Sequence, residues 1–539
     1  MEHGGTSQQE IMSAILMMEV DLLWFGGIGT YIKAAGESDA DVGDRANDVI
    51  RVTAGEVQAK VIGEGANLGV TQKGRIVYAA KGGRCNSDAI DNSAGVNSSD
   101  VEVNIKIALA NAMRENRLTR EDRNTLLASM TDEVAELVLR NNYLQTLAIS
   151  LTSAGDIAGL SEQARLMTAL ESRGQLNRKV ETLPDDIEIA ERRAAGRGLT
   201  RPEIGVLLSY AKIVLFDEIV ASDLPDDPYF ENTLMSYFPP KMREAYKGDI
   251  DSHRLRREIV ATLLGNDAIN RGGPAFVVQM GDQSGATSPD IVRAFVIARD
   301  GLALPDLYDR VDALDTKVPG ELQNELYARI EFTLRATSTW ALKTGTAMGG
   351  DLGATVAEME EALGAILPAL LAAAPEFLAG KIEETRLRLA GLDVPVALAG
   401  DIAMLPLREL VPDVARVARL SGEDTAKVIR TYFDISEAFR INRIQAAAGR
   451  LQPADHYENL ALGRNLDEIY EARRVIAISA LKSFAHSDDP FGDWRAENHG
   501  RIGHVAEQIL QLAETGELTV AKLTVAAGMM SDLARSLRA

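Results

Sequence analysis

The sequence predicts an α/β partial parallel sheet at the N-terminus followed by a large all-α helical domain. Three observations predict it. Two short apolar runs, Val20-Asp21-Leu22-Leu23-Trp24-Phe25 and Gln58-Ala59-Lys60-Val61-Ile62, each stop at a glycine loop, as buried parallel strands do. A polar stretch of helix length, 38–56, lies between them and completes a strand–helix–strand unit. From Val101 onward apolar residues recur at helical spacing, in a chain rich in Ala, Leu, Glu and Arg with only 5% aromatics.

Taken in order, the first strand ends at Gly26-Gly27-Ile28-Gly29 and the second at Gly63-Glu64-Gly65-Ala66-Asn67. Arg75 to Ala80 reads as the continuation into a helix, and Arg84 to Asp88 as a further short strand. Val103, Ile105, Ile107 and Leu109, with Ala108 and Ala112, predict a long buried helix starting at Ser98-Ser99-Asp100. Thr119 with Asp122, and Thr200 with Glu203, have capping-box spacing, and Pro202 suits a first turn. Ile204, Leu207, Leu208, Ala211, Val214 and Leu215 then give an apolar face. Breaks fall at 224–228, 238–240, 270–274 and 349–351. The expected organisation is an α/β part over 1–115 and a helical part over 116–539, the latter one bundle or two sub-bundles.

Composition narrows the function classes. Among 539 residues, 57 Lys and Arg face 79 Asp and Glu, so the net charge is −22. Such a surface repels polyanions, and no nucleic-acid partner is expected. One cysteine, Cys85, excludes an intrachain disulfide framework and fits a reducing cytoplasm. The start lacks a basic targeting region, and the apolar run Ala362 to Pro375 holds two prolines and is too short to span a bilayer. A cytoplasmic protein with no membrane partner is expected.

Two segments carry the site chemistry. A dinucleotide fingerprint needs G-x-G-x-x-G, but Gly27-Ile28-Gly29 is followed by Ile32 and Gly63-Glu64-Gly65 by Leu68. Alone, each is a tight turn. Together, beyond the carboxyl ends of parallel strands and with Asn67 beside them, they form the edge of a ligand site. The run from Asp88 to Asp100 is dense in Asp, Asn and Ser. It reads equally as an elaborate helix cap or as a carboxylate or phosphate site at a helix start. The histidines (His3, His253, His456, His486, His499, His504) lack metal-site spacing, and no metal is expected. Arg254, Arg256 and Arg257 read as a solvated helix face, Gly345 to Gly350 as a loop without the Lys-Ser/Thr end of a phosphate loop, and Cys85 as core.

Val61-Ile62-Gly63-Glu64-Gly65-Ala66-Asn67 resembles the strand end of glutamate dehydrogenases. Asp88, Asn92-Ser93-Ala94-Gly95-Val96 and Ser99 resemble the same family's D-x-x-x-N-A-G-G-V-x-x-S segment. Asp21 to Tyr31, Gly65 to Gln72, Glu102 to Ile107, Leu199 to Ile204 and Tyr237-Phe238-Pro239 are similar to the very large bacterial NAD-dependent members, so the resemblance covers most of the chain. It implies a distal half of a Rossmann-like nucleotide-binding domain over 1–115. It further implies NAD as cofactor, held by Gly27, Gly65, Asn67 and Asn92, and a substrate pocket formed by Asn92, Val96 and Ser99. The implied reaction is oxidative deamination of L-glutamate to 2-oxoglutarate and ammonia. Ser93 stands for the family's usual alanine, Ala94 for its first glycine, and Leu68-Gly69-Val70 for the commoner Gly-Pro-Thr. No segment resembles the family's phosphate loop or its catalytic lysine region, so no catalytic residue is assigned to this chain. The remainder of a longer polypeptide is its expected partner, in a homo-oligomer. The alternative is an inactive helical assembly or regulatory module with a vestigial sheet.

Overall fold

The computed structural model describes residues 7–451, 453, 455–514 and 517–536; His3 lies outside them. The chain divides into two compact units, 1–278 and 279–539.

In the first unit, α1 (Gln8–Leu16) precedes β1 (Leu22–Phe25), β2 (Ile32–Lys33), a single helical turn α2 (Asp39–Val42), β3 (Val52–Thr53) and β4 (Val61–Glu64). β1 and β4 pair in parallel, Leu22 opposite Val61 and Phe25 opposite Glu64. The two apolar runs are therefore parallel strands, as the sequence predicts, but β1 is buried on one face only, since Leu22 and Trp24 are exposed. The connection between them differs. Instead of one crossover helix, 38–56 makes the turn α2, a short 3-10 turn at Arg45–Asn47, and β3, which pairs in parallel with β2. Ser38 accepts the Asp41 N–H, Gly43 ends the turn in the left-handed region at φ 76°, and the Val52 and Ala54 N–H groups donate to the Tyr31 and Lys33 carbonyls, so strand pairing takes the place of helix propagation. Only Arg84 of the expected strand 84–88 bridges to Val61, and Asp88 already begins a helix. The core under the strands is Phe25, Ile32, Val52, Ile62, Val70, Tyr78 and Cys85.

The helices that follow are α3 (Gln72–Ala80), α4 (Asp88–Asp91), α5 (Ser93–Arg114), α6 (Arg120–Ser129), α7 (Thr131–Ala154), α8 (Asp156–Ser172), α9 (Arg178–Glu181), α10 (Asp186–Ala194) and α11 (Arg201–Val220). α5 starts at Ser93, so Ser98, Ser99 and Asp100 lie inside it rather than capping it. Cross-helix bonds fix the earlier start. Asn142 and Gln145 of α7 both donate to the Ile90 carbonyl and to Ser93 Oγ, at 2.8–3.0 Å. Thr119 caps α6 by accepting Asp122 N–H, at 3.1 Å. At α11, Glu203 accepts from the Thr200 amide and hydroxyl, 2.7 and 2.6 Å, while Arg192 grips the same buried carboxylate bidentately.

Every secondary-structure element among the second unit's described residues is a helix. Its core gathers Leu370, Val414, Tyr432, Ile476, Leu481, Trp494 and Met530, and the helix His456–Ser483 packs along Val520–Arg535. The Gly345–Gly350 segment is a loop, and Pro368 sits within the helix Leu352–Ala373. Among the described residues, no single helix is long and apolar enough to cross a membrane; the pair Leu352–Ala373 and Glu376–Ala390 passes on length and composition together but is bent by 107°.

Candidate functional site

The in-register pairing of β1 and β4 sets their carboxyl ends side by side, so the loops Gly26–Gly29 and Gly65–Asn67 emerge together. This is where ligands bind in open parallel sheets. α4 and α5 follow at the same end of β4. The Glu64 N–H donates to Asp91 at 3.2 Å, and the Leu68 N–H donates to Asp88 at 2.9 Å. Asp88 thus holds Leu68 in the left-handed region, φ 55°.

Asn67 and Asn92 are brought into direct contact: the Asn92 amide donates to Asn67 Oδ1. The other half of each amide, Asn67 Nδ2 and Asn92 Oδ1, has no hydrogen-bond partner among the described residues. Val96 and Ser99, three residues apart, share one face of α5, and Asn92 is the residue that precedes its first turn. Val96 is 68% exposed and Ser99 is exposed. Ser99 is two turns into α5, so a helix-start position does not explain it.

The two glycines differ. A side chain at Gly65 would collide with the Trp24 ring and meet the Phe25 carbonyl oxygen at 3.2 Å, so glycine there makes room for the indole. A Cβ at Gly27 meets nothing within 4 Å, and nothing in the structure requires glycine there. Trp24 itself is 60% exposed and Ile28 of the first loop 91%, an apolar rim that sequence reasoning missed. The signal was the alternation in β1, where Leu23 and Phe25 turn inward and Leu22 and Trp24 outward.

Also missed is the buried ion network beneath the site. Glu64 and Arg75, 1% and 2% exposed, form a bidentate pair at 2.6 and 2.8 Å. Arg75 reaches Asp88 at 3.1 Å, and Glu64 also accepts the Val70 N–H. Burial raises the Glu64 carboxyl above its ordinary range, opposed by Arg75. Asp91 is likewise raised by burial, and Asn86 donates to it while accepting from Arg201. Arg201 continues to Ser150 of α7, so strand end, α4, α7 and α11 are tied through charged groups. Cys85 packs beside this network, its thiol pushed up to about 12 by burial.

The remaining candidates are structural. His253 is buried; its Nδ1 accepts the Leu255 N–H, and Nε2 therefore donates to the Asn104 carbonyl at 3.1 Å. Arg257 is more than a solvated charge, since it bonds the carbonyls of Val220 and Ser222 at the end of α11 and pairs with Asp226.

Parallel strands with glycine loops at their carboxyl ends, paired asparagines beside them and one exposed helix face make an α/β arrangement of the kind that holds ligands at strand ends. The comparisons specify it. Residues 1–152 match the bacterial NAD-glutamate dehydrogenase catalytic domain, and residues 196–532 match the family described as glutamate dehydrogenase, C-terminal. The NAD-specific glutamate dehydrogenases of Halomonas elongata and Pseudomonas aeruginosa are each 37% identical, over 93% and 96% of this chain and 31% and 32% of their own length. That of Mycobacterium tuberculosis is 35% identical over 99% of this chain and 33% of its own. The chain belongs to the bacterial NAD-glutamate dehydrogenase family. It spans about a third of the length of these curated relatives.

Proposed function

We propose that this chain supplies the distal wall of the nicotinamide and glutamate cleft of an NAD-dependent glutamate dehydrogenase. The observation that carries the reading is the Asn67–Asn92 pair, which leaves one amide donor and one carbonyl acceptor free on an exposed ledge. A carboxamide such as that of nicotinamide offers the complementary acceptor and donor. Gly65 and Gly27 shape the loops around that ledge. Val96 and Ser99, on one face of the helix that Asn92 precedes, would bound the substrate, with the Ser99 hydroxyl available to a side-chain carboxylate.

NAD, when bound, accepts the hydride from the glutamate α-carbon; the protein's part is to hold the two in line. Asn67 and Asn92 do not titrate, so their contribution is orientation rather than proton transfer. An acid/base group and a pyrophosphate loop must come from elsewhere in the longer polypeptide. The chain alone should therefore show no glutamate-dependent NADH formation above background.

The test is saturation-transfer NMR with NAD. The nicotinamide protons should receive magnetisation from the chain, and Asn67→Ala should remove that transfer. Transfer to the adenine protons alone, or none, would favour an assembly module with a vestigial sheet.

A further inference from the structure

A second cleft lies at the opposite end of β4 from the glycine loops, with a cavity volume of about 680 Å³. That is the size of a small-molecule site. Three cations, Lys60, Lys81 and Arg84, line it against one carboxylate, Asp21. Lys60 and Asp21 neutralise each other at 2.8 Å. Lys81 and Arg84 form no ion pair among the described residues; Lys81 reaches only the Gly55 carbonyl oxygen, at 3.5 Å. The cleft thus carries two uncompensated positive charges on a chain of net charge −22. Val57, Gln58 and Ala59 also line the cleft. Cations without carboxylate partners offer charge-assisted donors to an oxyanion.

From this arrangement we infer that the cleft at the amino end of β4 binds a phosphate group, either free or on a small organic body. Lys81 and Arg84 supply the charge and the charge-assisted donors. Ala54 and Tyr78, in the same lining, offer an apolar wall that bare phosphate would not cover. This site is distinct from the Asn67–Asn92 ledge, and its existence does not depend on the NAD reading.

Phosphorus NMR titration of the chain with inorganic phosphate and, separately, ribose 5-phosphate tests the inference. Both should show saturable broadening that weakens as salt is raised. Lys81→Gln and Arg84→Gln should each weaken binding roughly tenfold, the size of one charge-assisted contact. Both side chains are exposed, so the variants should keep the parent melting temperature. Tighter binding of the sugar phosphate supports a phosphorylated metabolite; equal binding supports phosphate itself. Absence of saturable broadening, or equal affinity in the double variant, overturns the inference.

Discussion

Replacing Arg75 with Met would remove the only cation among the described residues that bonds the buried Glu64 carboxylate, and leave it, among those residues, the Val70 N–H. Breaking a buried pair from one side costs about 3–5 kcal/mol, against a domain stability of about 5–15 kcal/mol. The loss should depend on pH, and its sign follows from burial. Glu64 is already raised above its ordinary value of 4.5 by desolvation, and without Arg75 it rises further. A carboxyl raised in the folded state binds its proton more tightly there than in the unfolded chain. Its contribution is full below 4.5 and is lost as pH climbs through the folded value. The variant should therefore be far less stable at pH 8 than at pH 5. The double variant Glu64→Gln, Arg75→Met removes the charge and should recover much of the loss. Hydrogen exchange of peptides covering β4 and α3 isolates this unit from the second one. A loss under about 1 kcal/mol at pH 8, or one that does not change with pH, would refute the reasoning.

The other predictions are narrower. Gly65→Ala should push the Trp24 indole aside and shift the tryptophan emission spectrum, while Gly27→Ala, with open space around it, should leave both emission and melting temperature unchanged. Cys85 should resist a thiol reagent in the folded chain and react on unfolding in urea, because it is buried with its thiol pushed up to about 12. In the second unit, burial raises Glu409 to about 7, with Thr333 as its donor at 2.8 Å. Melting temperature should therefore fall as pH rises from about 5 to 8, and Glu409→Gln should flatten that fall. The effect is on the order of 3 kcal/mol for this shift.

The parts of the fold legible in the sequence were those carried by local pattern. Two apolar runs ending at glycine gave adjacent parallel strands, and Thr200 with Glu203 gave the start of α11. Elements set by distant groups were not legible. β2 and β3 are two residues each, too short for any alternation to show. The start of α5 is fixed by Asn142 and Gln145, about fifty residues away, so the polar run 88–100 could not reveal where the helix began. At the site, the sequence named Asn67 and Asn92 but could not show that they touch. The Glu64–Arg75–Asp88 network was hidden because charged residues read as surface until burial is seen. Its only sequence trace is a glutamate at the end of an apolar strand.

The central claim is that the Asn67–Asn92 ledge receives the nicotinamide end of NAD. The most direct measurement is steady-state kinetics of the complete polypeptide carrying Asn67→Ala, with NAD varied at saturating glutamate. Loss of one amide contact costs about 1–3 kcal/mol, so kcat/KM for NAD should fall roughly five- to 150-fold. An unchanged kcat/KM for NAD in a folded variant would contradict the claim and remove Asn67 from the cofactor site.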